Sequence, residues 1–398
     1  MASFASKFRG RTTVIQSAQN GSDYDVSGGQ SQINFDIAST RNVIMNKSAL
    51  LNGTINVYAS GTTNPTGTED LKFDGYSGLV GMIDSINLRS KNSGVLLGRI
   101  QHPGRYTAEH NASTNSANML LQKFNQYAGS DQIGLSKSAS ETQFTFSIPL
   151  SELLGFFNVC QEHLLSDLGG LRIEILLSSN NMFLVDTGDS FSGAKYVLSD
   201  VKMSYVQLEP TLEYLAMGGK SMSVYEDWNI NMLQLVSSQD SLEDHVNKAS
   251  LKSMAVSFLP SSDYNNRTAN SYAMSPIAIS DVSLNTNGVQ HPLRYSQTQD
   301  PTVNTNYNTL ATEYLKAMNT NASLNGVRSI LNIEDYSTAT DNPQFGVGWL
   351  YSDNGVPVLN SNVSMHCQSD NNQNRSAFFT YKYNKVIEAE SGNVMVKA

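Results

Sequence analysis

The sequence predicts an all-β protein made of two tandem, related units. Three observations carry this. Apolar residues alternate with polar ones along most of the chain, charge is scarce, and a hexapeptide recurs about 190 residues after its first appearance. Alternation with a period of two places one face of a strand on a core and the other in water. Charged residues make up 15% of the chain, against about 25% in an ordinary globular protein. Asn, Ser, Thr and Gln must therefore carry the polar surface. Asn and Ser compete with the helix backbone for hydrogen bonds and suit strands and loops better. With 398 residues, two domains of ordinary size are available, each long enough to bury its own core.

Taken in order, the chain begins with Lys7, Arg9 and Arg11, which precede the first acid, Asp23. The segment through Gly29 is rich in Gly, Ser and Gln, so residues 1–29 are expected to form a flexible arm. Such an arm could touch nucleic acid or an anionic membrane, or be an ordinary solvated terminus. Alternation starts at Ile33, Phe35 and Ile37. It returns at Phe144, Phe146 and Ile148; at Leu171, Ile173 and Ile175; and at Val201, Met203 and Tyr205. Beyond Pro210 it resumes at Trp228, Ile230 and Met232, and at Met254, Val256 and Phe258. Between these strands lie loops full of Gly, Asn, Thr and Pro, such as 60–78 and 260–270. Many short strands joined by long loops indicate a sandwich or a barrel.

The repeat is carried by Gln101-His-Pro-Gly-Arg-Tyr106 and Gln290-His-Pro-Leu-Arg-Tyr295. Upstream, Ile83–Leu88 matches Ile279–Leu284, and each run then reaches a Gly-Val, at Gly94-Val95 and Gly288-Val289. Downstream, a helical pattern at Leu120, Leu121, Phe124 and Tyr127 pairs with one at Tyr307, Leu310, Ala311, Tyr314, Leu315 and Met318. Strands follow at Phe144–Ile148 and Phe345–Trp349, and the units close with Tyr196–Glu209 and Ala377–Glu388. Pro210 is the expected boundary, which divides the chain into units 30–210 and 211–398. At the repeated corner, His102, Pro103, Arg105 and Tyr106 match His291, Pro292, Arg294 and Tyr295. A functional reading would use the two arginines to grip a carboxylate or phosphate. A structural reading has the prolines end a strand while Arg and Tyr pin the next loop to the sheet. The structural reading is preferred, because duplicated corners come with a duplicated fold and duplicated catalytic sites are rare.

Two similar sandwiches, each with a short helix in its middle, resemble the double jelly-roll major capsid proteins of tailless icosahedral viruses, the lineage of adenovirus hexon, virophages and membrane-containing phages. A second likeness lies at Phe146-Ser-Ile-Pro-Leu-Ser-Glu-Leu-Leu-Gly-Phe-Phe157 and the Leu168-Gly-Gly-Leu-Arg-Ile-Glu-Ile-Leu177 that follows. Viral jelly rolls often place a strand ending in Ile-Pro-Leu before a short apolar helix and a strand entered through a Leu-Gly turn. The closing stretch Phe378–Ile387 and Gly392–Val396 is similar to the last strands of such a protein. The second unit has no clear copy of the Ile-Pro-Leu segment. The resemblance implies a pseudo-hexagonal homotrimer that self-assembles into an icosahedral shell. Its partners would be neighbouring capsomers, penton or minor capsid proteins, a host receptor, and weakly the genome or an internal membrane. It implies location in the virion after synthesis inside a host cell. A carbohydrate-binding or adhesin-type β-sandwich is the alternative, but would ordinarily need an export signal, and the N-terminus lacks the apolar core of one.

Signs of chemistry are few. No GxSxG elbow, Walker loop, HExxH or EF-hand spacing can be read. Cys160-Gln-Glu-His163 and His366-Cys367 lack the paired spacing of zinc sites. No catalytic, cofactor or metal residue is assigned, and the chain is expected not to be an enzyme. The two cysteines, Cys160 and Cys367, could pair, but they make no disulfide framework. A net charge of −9 argues against coating nucleic acid over a broad face.

Overall fold

The computed structural model describes residues 7–60, 71–114, 143–186, 188, 191–216, 220–236, 241–276, 279–286, 289–295, 308–318, 345–369 and 374–398. The strands of the first unit are β1 (Phe8–Ser17), β2 (Gln32–Ile37), β3 (Leu50–Tyr58), β4 (Ile83–Ser90), β5 (Leu96–Gln101), β6 (Gln143–Pro149), β7 (Leu171–Leu177) and β8 (Lys195–Pro210). They form two antiparallel sheets, with orders β1-β8-β3-β6 and β2-β7-β4-β5. Two-residue strands at Asp23–Tyr24 and Val43–Ile44 add to β8. The alternating residues do what their period predicts: Ile33, Phe35 and Ile37 of β2, and Leu171, Ile173 and Ile175 of β7, are all buried in one core.

The second unit has β9 (Ser221–Leu235), β10 (Ser241–Pro260), β11 (Ile279–Thr286), β12 (Val289–Tyr295), β13 (Gly346–Leu350), β14 (Val356–Ser369), β15 (Arg375–Glu390) and β16 (Asn393–Lys397). These strands join one continuous sheet, because β10 does the work of two strands. Its first part, Ser241–Val246, pairs with Ser361–His366 of β14. After register shifts between Val246 and Leu251, its second part pairs with β15 on one side and β13 on the other. Such bulges bend a strand and let it pass from one sheet face to the next. With β10 counted as second and third strand together, the order is first-eighth-third-sixth and second-seventh-fourth-fifth in both units. The duplication is thus one of topology, and the chain is a double jelly roll.

Helices α1 (Pro103–Thr114) and α2 (Asn308–Met318) each follow the fifth strand of their unit. The second is the one that the spacing of Leu310, Ala311 and Tyr314 predicts, and these three residues are buried. The pattern Leu120, Leu121, Phe124 and Tyr127 lies outside the described residues. The helix described in the first unit instead starts inside the hexapeptide, at Pro103.

Two expectations are corrected here. Residues 8–17 are no flexible arm; they are the first strand of the first sheet, paired with β8 from Phe8↔Pro210 to Ser17↔Lys202. Phe8 is buried and Val14 packs on the core, but Arg9, Arg11, Thr13 and Ile15 share the other face, so apolar alternation is muted. The hexapeptides are also not superposable corners. Gln101 ends β5, His102 takes a left-handed backbone (φ 51°), and Pro103 opens α1, whereas Gln290–Tyr295 lie within β12. The difference traces to the fourth residue. A Cβ on Gly104 would lie 2.6 Å from the Tyr272 ring and 2.9 Å from the Gly81 backbone. The leucine at that place, Leu293, cannot make this approach. Pro292 instead sits in a strand at the sheet edge, where the pairing of β11 with β12 slips between Val282 and Leu284.

Candidate functional site

Buried polar groups gather at the joint between the two jelly rolls. It is built from α1 and β5 of the first unit, the helical turns at residues 155–162, and the outer face of β9, β10 and β15 in the second. Pro103 at the first helical position is pre-set for α1, and the His102 carbonyl accepts the first helical bond from Tyr106 N. That start aims Arg105, Tyr106 and Glu109 at the second unit.

Arg105 is fully buried. Its Nη1 donates to the carbonyls of Ala273 (2.7 Å) and Tyr272 (3.2 Å), and its Nη2 to that of Ser271 (3.2 Å). The guanidinium carbon stands 4.2 Å from the centre of the Phe378 ring. Burial lowers its pKa, while Glu109 and Asp74 favour its charged form. Every one of these hydrogen bonds goes to the other unit. Glu109 is the carboxylate of the pair. It accepts from Ser257 Oγ at 2.5 Å and Thr380 Oγ1 at 2.7 Å. Burial raises its pKa; the two hydroxyls and Arg105 oppose the rise. Beside it, Lys382 Nζ donates to the Met318 carbonyl that ends α2. Burial lowers the Lys382 pKa to about 8.

Aromatic contacts surround this core. Tyr106 stacks on Trp228 with centroids 4.6 Å apart and rings 9° from parallel. Tyr225 Oη donates to Leu97 O at 2.7 Å, and Tyr272 Oη to Gly81 O at 2.6 Å. His163 of the first unit lies between two hydroxyls of β9, with Nδ1 2.8 Å from Ser221 Oγ and Nε2 2.5 Å from Ser223 Oγ. Its burial holds the imidazole neutral down to about pH 4. A loop after β10 completes the clasp: the Arg267 carbonyl accepts from Asp186 N (2.7 Å), and Arg267 Nη1 donates to Phe191 O (2.6 Å). The first unit's core accordingly runs on into Tyr225, Trp228, Ile230, Leu259, Tyr272 and Phe378 of the second.

Of the residues singled out in the sequence, Arg105 and Tyr106 lie in this joint. His102 rests edge-on to Tyr264 and Phe378, with Nδ1 4.0 Å from Asp84. Backbone alone is described for His291, Pro292, Arg294 and Tyr295, in β12. Lys7 lies 5.9 Å over the Tyr214 ring, Arg9 pairs with Glu209, and Arg11 is exposed. Cys160 is a buried, free thiol. Among the described residues no cluster of His, Cys, Asp or Glu could hold a metal ion, and no helix is long and apolar enough to cross a membrane. Glu109, Ser257, Tyr272 and Thr380 are not singled out by the sequence, and Trp228 only as an alternating strand residue. One signal was present: Phe378-Phe379-Thr380-Tyr381 breaks strict alternation, as a strand buried on both faces does.

No family model and no curated protein sequence matches the chain. Solved structures do. The Faustovirus major capsid protein superposes with a TM-score of 0.63 at 8% identity, over 98% of this chain and 90% of that one. A chain of the Sputnik virophage particle gives 0.61 at 11% identity, over 98% and 89%. The mavirus major capsid protein gives 0.53 at 10% identity, over 97% and 90%. At these identities the likeness establishes the fold: the chain is a double jelly roll of the kind these capsid proteins have, along nearly its whole length.

Proposed function

We propose that this chain is a viral major capsid protein, which self-assembles as pseudo-hexameric trimers into an icosahedral shell. The observation that carries the reading is the end-to-end match: both jelly rolls, in order, superpose together on capsid proteins. The joint adds a physical reason. A shell subunit must transmit load between its neighbours without flexing, and the buried Arg105 and Glu109 lock one sandwich to the other. Its function is then burial of surface between identical copies, with the loops supplying specificity.

On this reading the protein is not an enzyme and resides in the virion. Its partners are neighbouring capsomers, with penton or minor proteins, a receptor on the host, and the genome or an internal membrane at its inner surface. Lys7, Arg9 and Arg11 are a modest contribution to that last contact. Arg9 is already paired, and a few cations neutralise at most as many phosphates. The test is to express the full chain and follow it by light scattering and electron microscopy. Trimers or shells are expected; a 43.5 kDa monomer under all conditions would overturn the proposal.

A further inference from the structure

One histidine is built into the joint, and the hydrogen bonds around it fix which ring nitrogen carries the proton. His163 follows directly on the helical turns at residues 155–162, and its backbone N–H donates to the Cys160 carbonyl at 3.2 Å. Its side chain is fully buried and meets two hydroxyls of β9. Ser221 Oγ gives its single hydrogen to the Ala389 carbonyl of β15 at 3.2 Å, so towards the ring it can only accept. Nδ1, 2.8 Å from that oxygen, is therefore the protonated nitrogen. Nε2 is the acceptor, and Ser223 Oγ donates to it across 2.5 Å. A neutral imidazole of the first unit thus completes a relay from Ser223 through Ser221 to the backbone of β15.

A second proton has no place in this relay. It would go on Nε2, where the Ser223 hydrogen already points. Nothing else that faces the ring supplies a charge to hold it. The turns present the Phe156 ring, with centroids 6.4 Å apart and planes 15° from parallel, and Cys160 on the same turns is kept a thiol by burial. From the second unit come only the two serines and a backbone carbonyl. Glu162, the preceding residue, is exposed. Glu388, beside Ala389, points to the opposite face of β15 and is paired with Lys220 and Lys397. Burial without a compensating charge lowers the affinity of the ring for a proton.

We infer that His163 is an acid-sensitive latch, whose protonation releases residues 160–163 from β9 and parts the two jelly rolls at this end of their joint, while both sandwiches keep their strands. The inference goes beyond the capsid reading and does not depend on it. The Arg105 end of the joint holds in acid, because a guanidinium stays charged and the carbonyls that accept from it do not titrate. In the open form the ring meets water and takes up its proton at the ordinary histidine value of 6.5, against about 4 when closed. The open form therefore binds more protons between these values, and falling pH favours it. Its population should rise about 100-fold from neutral pH to pH 4.

Cys160 gives a local reading, since a buried free thiol is reached by a disulfide reagent only when the turns leave β9. The full-length chain is labelled with dithiodipyridine from neutral pH down to pH 4, and the labelled Cys160 peptide is measured by mass spectrometry. Rates are normalised to a short cysteine peptide at each pH, with far-UV circular dichroism recorded in parallel. Labelling of Cys160 should rise about 100-fold while the strand signal is unchanged. His163→Gln, whose amide can donate to Ser221 and accept from Ser223 but takes no proton, should remove the rise. Should that variant fail to fold, deuterium exchange of the His163 Cε1 hydrogen in the wild-type chain reads the same proton. A half-point near pH 4 is expected, and one near 6.5 would overturn the latch. So would labelling that stays flat to pH 4, that rises equally in His163→Gln, or that rises only as the strand signal disappears. Each of these results leaves the capsid proposal standing, because none of them reads assembly.

Discussion

At the scale of single residues, the joint depends on a buried cation whose two terminal nitrogens are hydrogen-bonded across it. Arg105 gives three hydrogen bonds to carbonyls of the other unit and sits over Phe378. Its removal takes those bonds from the three carbonyls and leaves Glu109 with only the hydroxyls of Ser257 and Thr380 and the charge of Lys382. Arg105→Ala should lower unfolding free energy by about 3–5 kcal/mol, measured by chemical denaturation. Arg105→Lys should recover little, since an ammonium cannot span three carbonyls in a plane. His163 gives a dependence on pH of defined sign. Burial lowers its folded pKa to about 4 from the ordinary histidine value of 6.5. Between these values the unfolded chain binds the proton and the folded chain does not. Stability from this group is therefore whole above pH 6.5 and falls as pH drops towards 4, by about 3 kcal/mol in all. His163→Gln should flatten that part of the stability profile; a slope unchanged from wild type would show that the titration lies elsewhere. Neither role could be read in the sequence. A histidine between two serines from another unit has no spacing signal, and Arg105 was visible as a repeated residue while its partners, backbone carbonyls, carry no residue signature at all.

At the scale of elements, strands with one buried face were legible and elements with two kinds of neighbour were not. β2, β7 and β8 keep period two because one side meets a core and the other water. β1 looks like an arm in the sequence because its outward face holds Arg9, Arg11 and Thr13 and its inward face includes Gly10 and Gln16, so alternation gives no apolar stripe. Pairing with β8 supplies what the pattern lacks. Deletion of residues 1–17 should therefore destabilise the first jelly roll, with a lower melting temperature and loss of soluble protein, since it exposes the edge of β8 from Lys202 to Pro210. Full stability after this deletion would contradict the assignment of β1 as a structural strand. The loop at 260–270 was foreseen from its Asn, Ser and Pro, but its part as a clasp on the first unit was not, because its contacts are long-range in sequence. The recurrence of His-Pro-x-Arg-Tyr pointed correctly to a duplicated hairpin and misled about conformation. Gly104 admits the Tyr272 ring, and the matching Leu293 stays in a strand. At Gly155, Gly155→Ala should loosen the joint, because the added Cβ meets backbone rather than a movable side chain.

For the whole molecule, the two jelly rolls share a core and should unfold together. The first unit's cluster includes Trp228, Ile230, Tyr272 and Phe378 of the second, so residues 1–216 expressed alone would expose a broad apolar face. The halves should be insoluble separately, and the intact chain should show one cooperative transition by calorimetry. Two resolved transitions would mean that the joint is weaker than its contacts imply. The central claim is that copies of this chain build a shell, and electron microscopy of the purified full-length protein tests it most directly. The account predicts pseudo-hexagonal trimeric capsomers, free or assembled in closed particles, each fitted by three copies of the double jelly roll. Fields of isolated monomers at every concentration and ionic condition tried would contradict it.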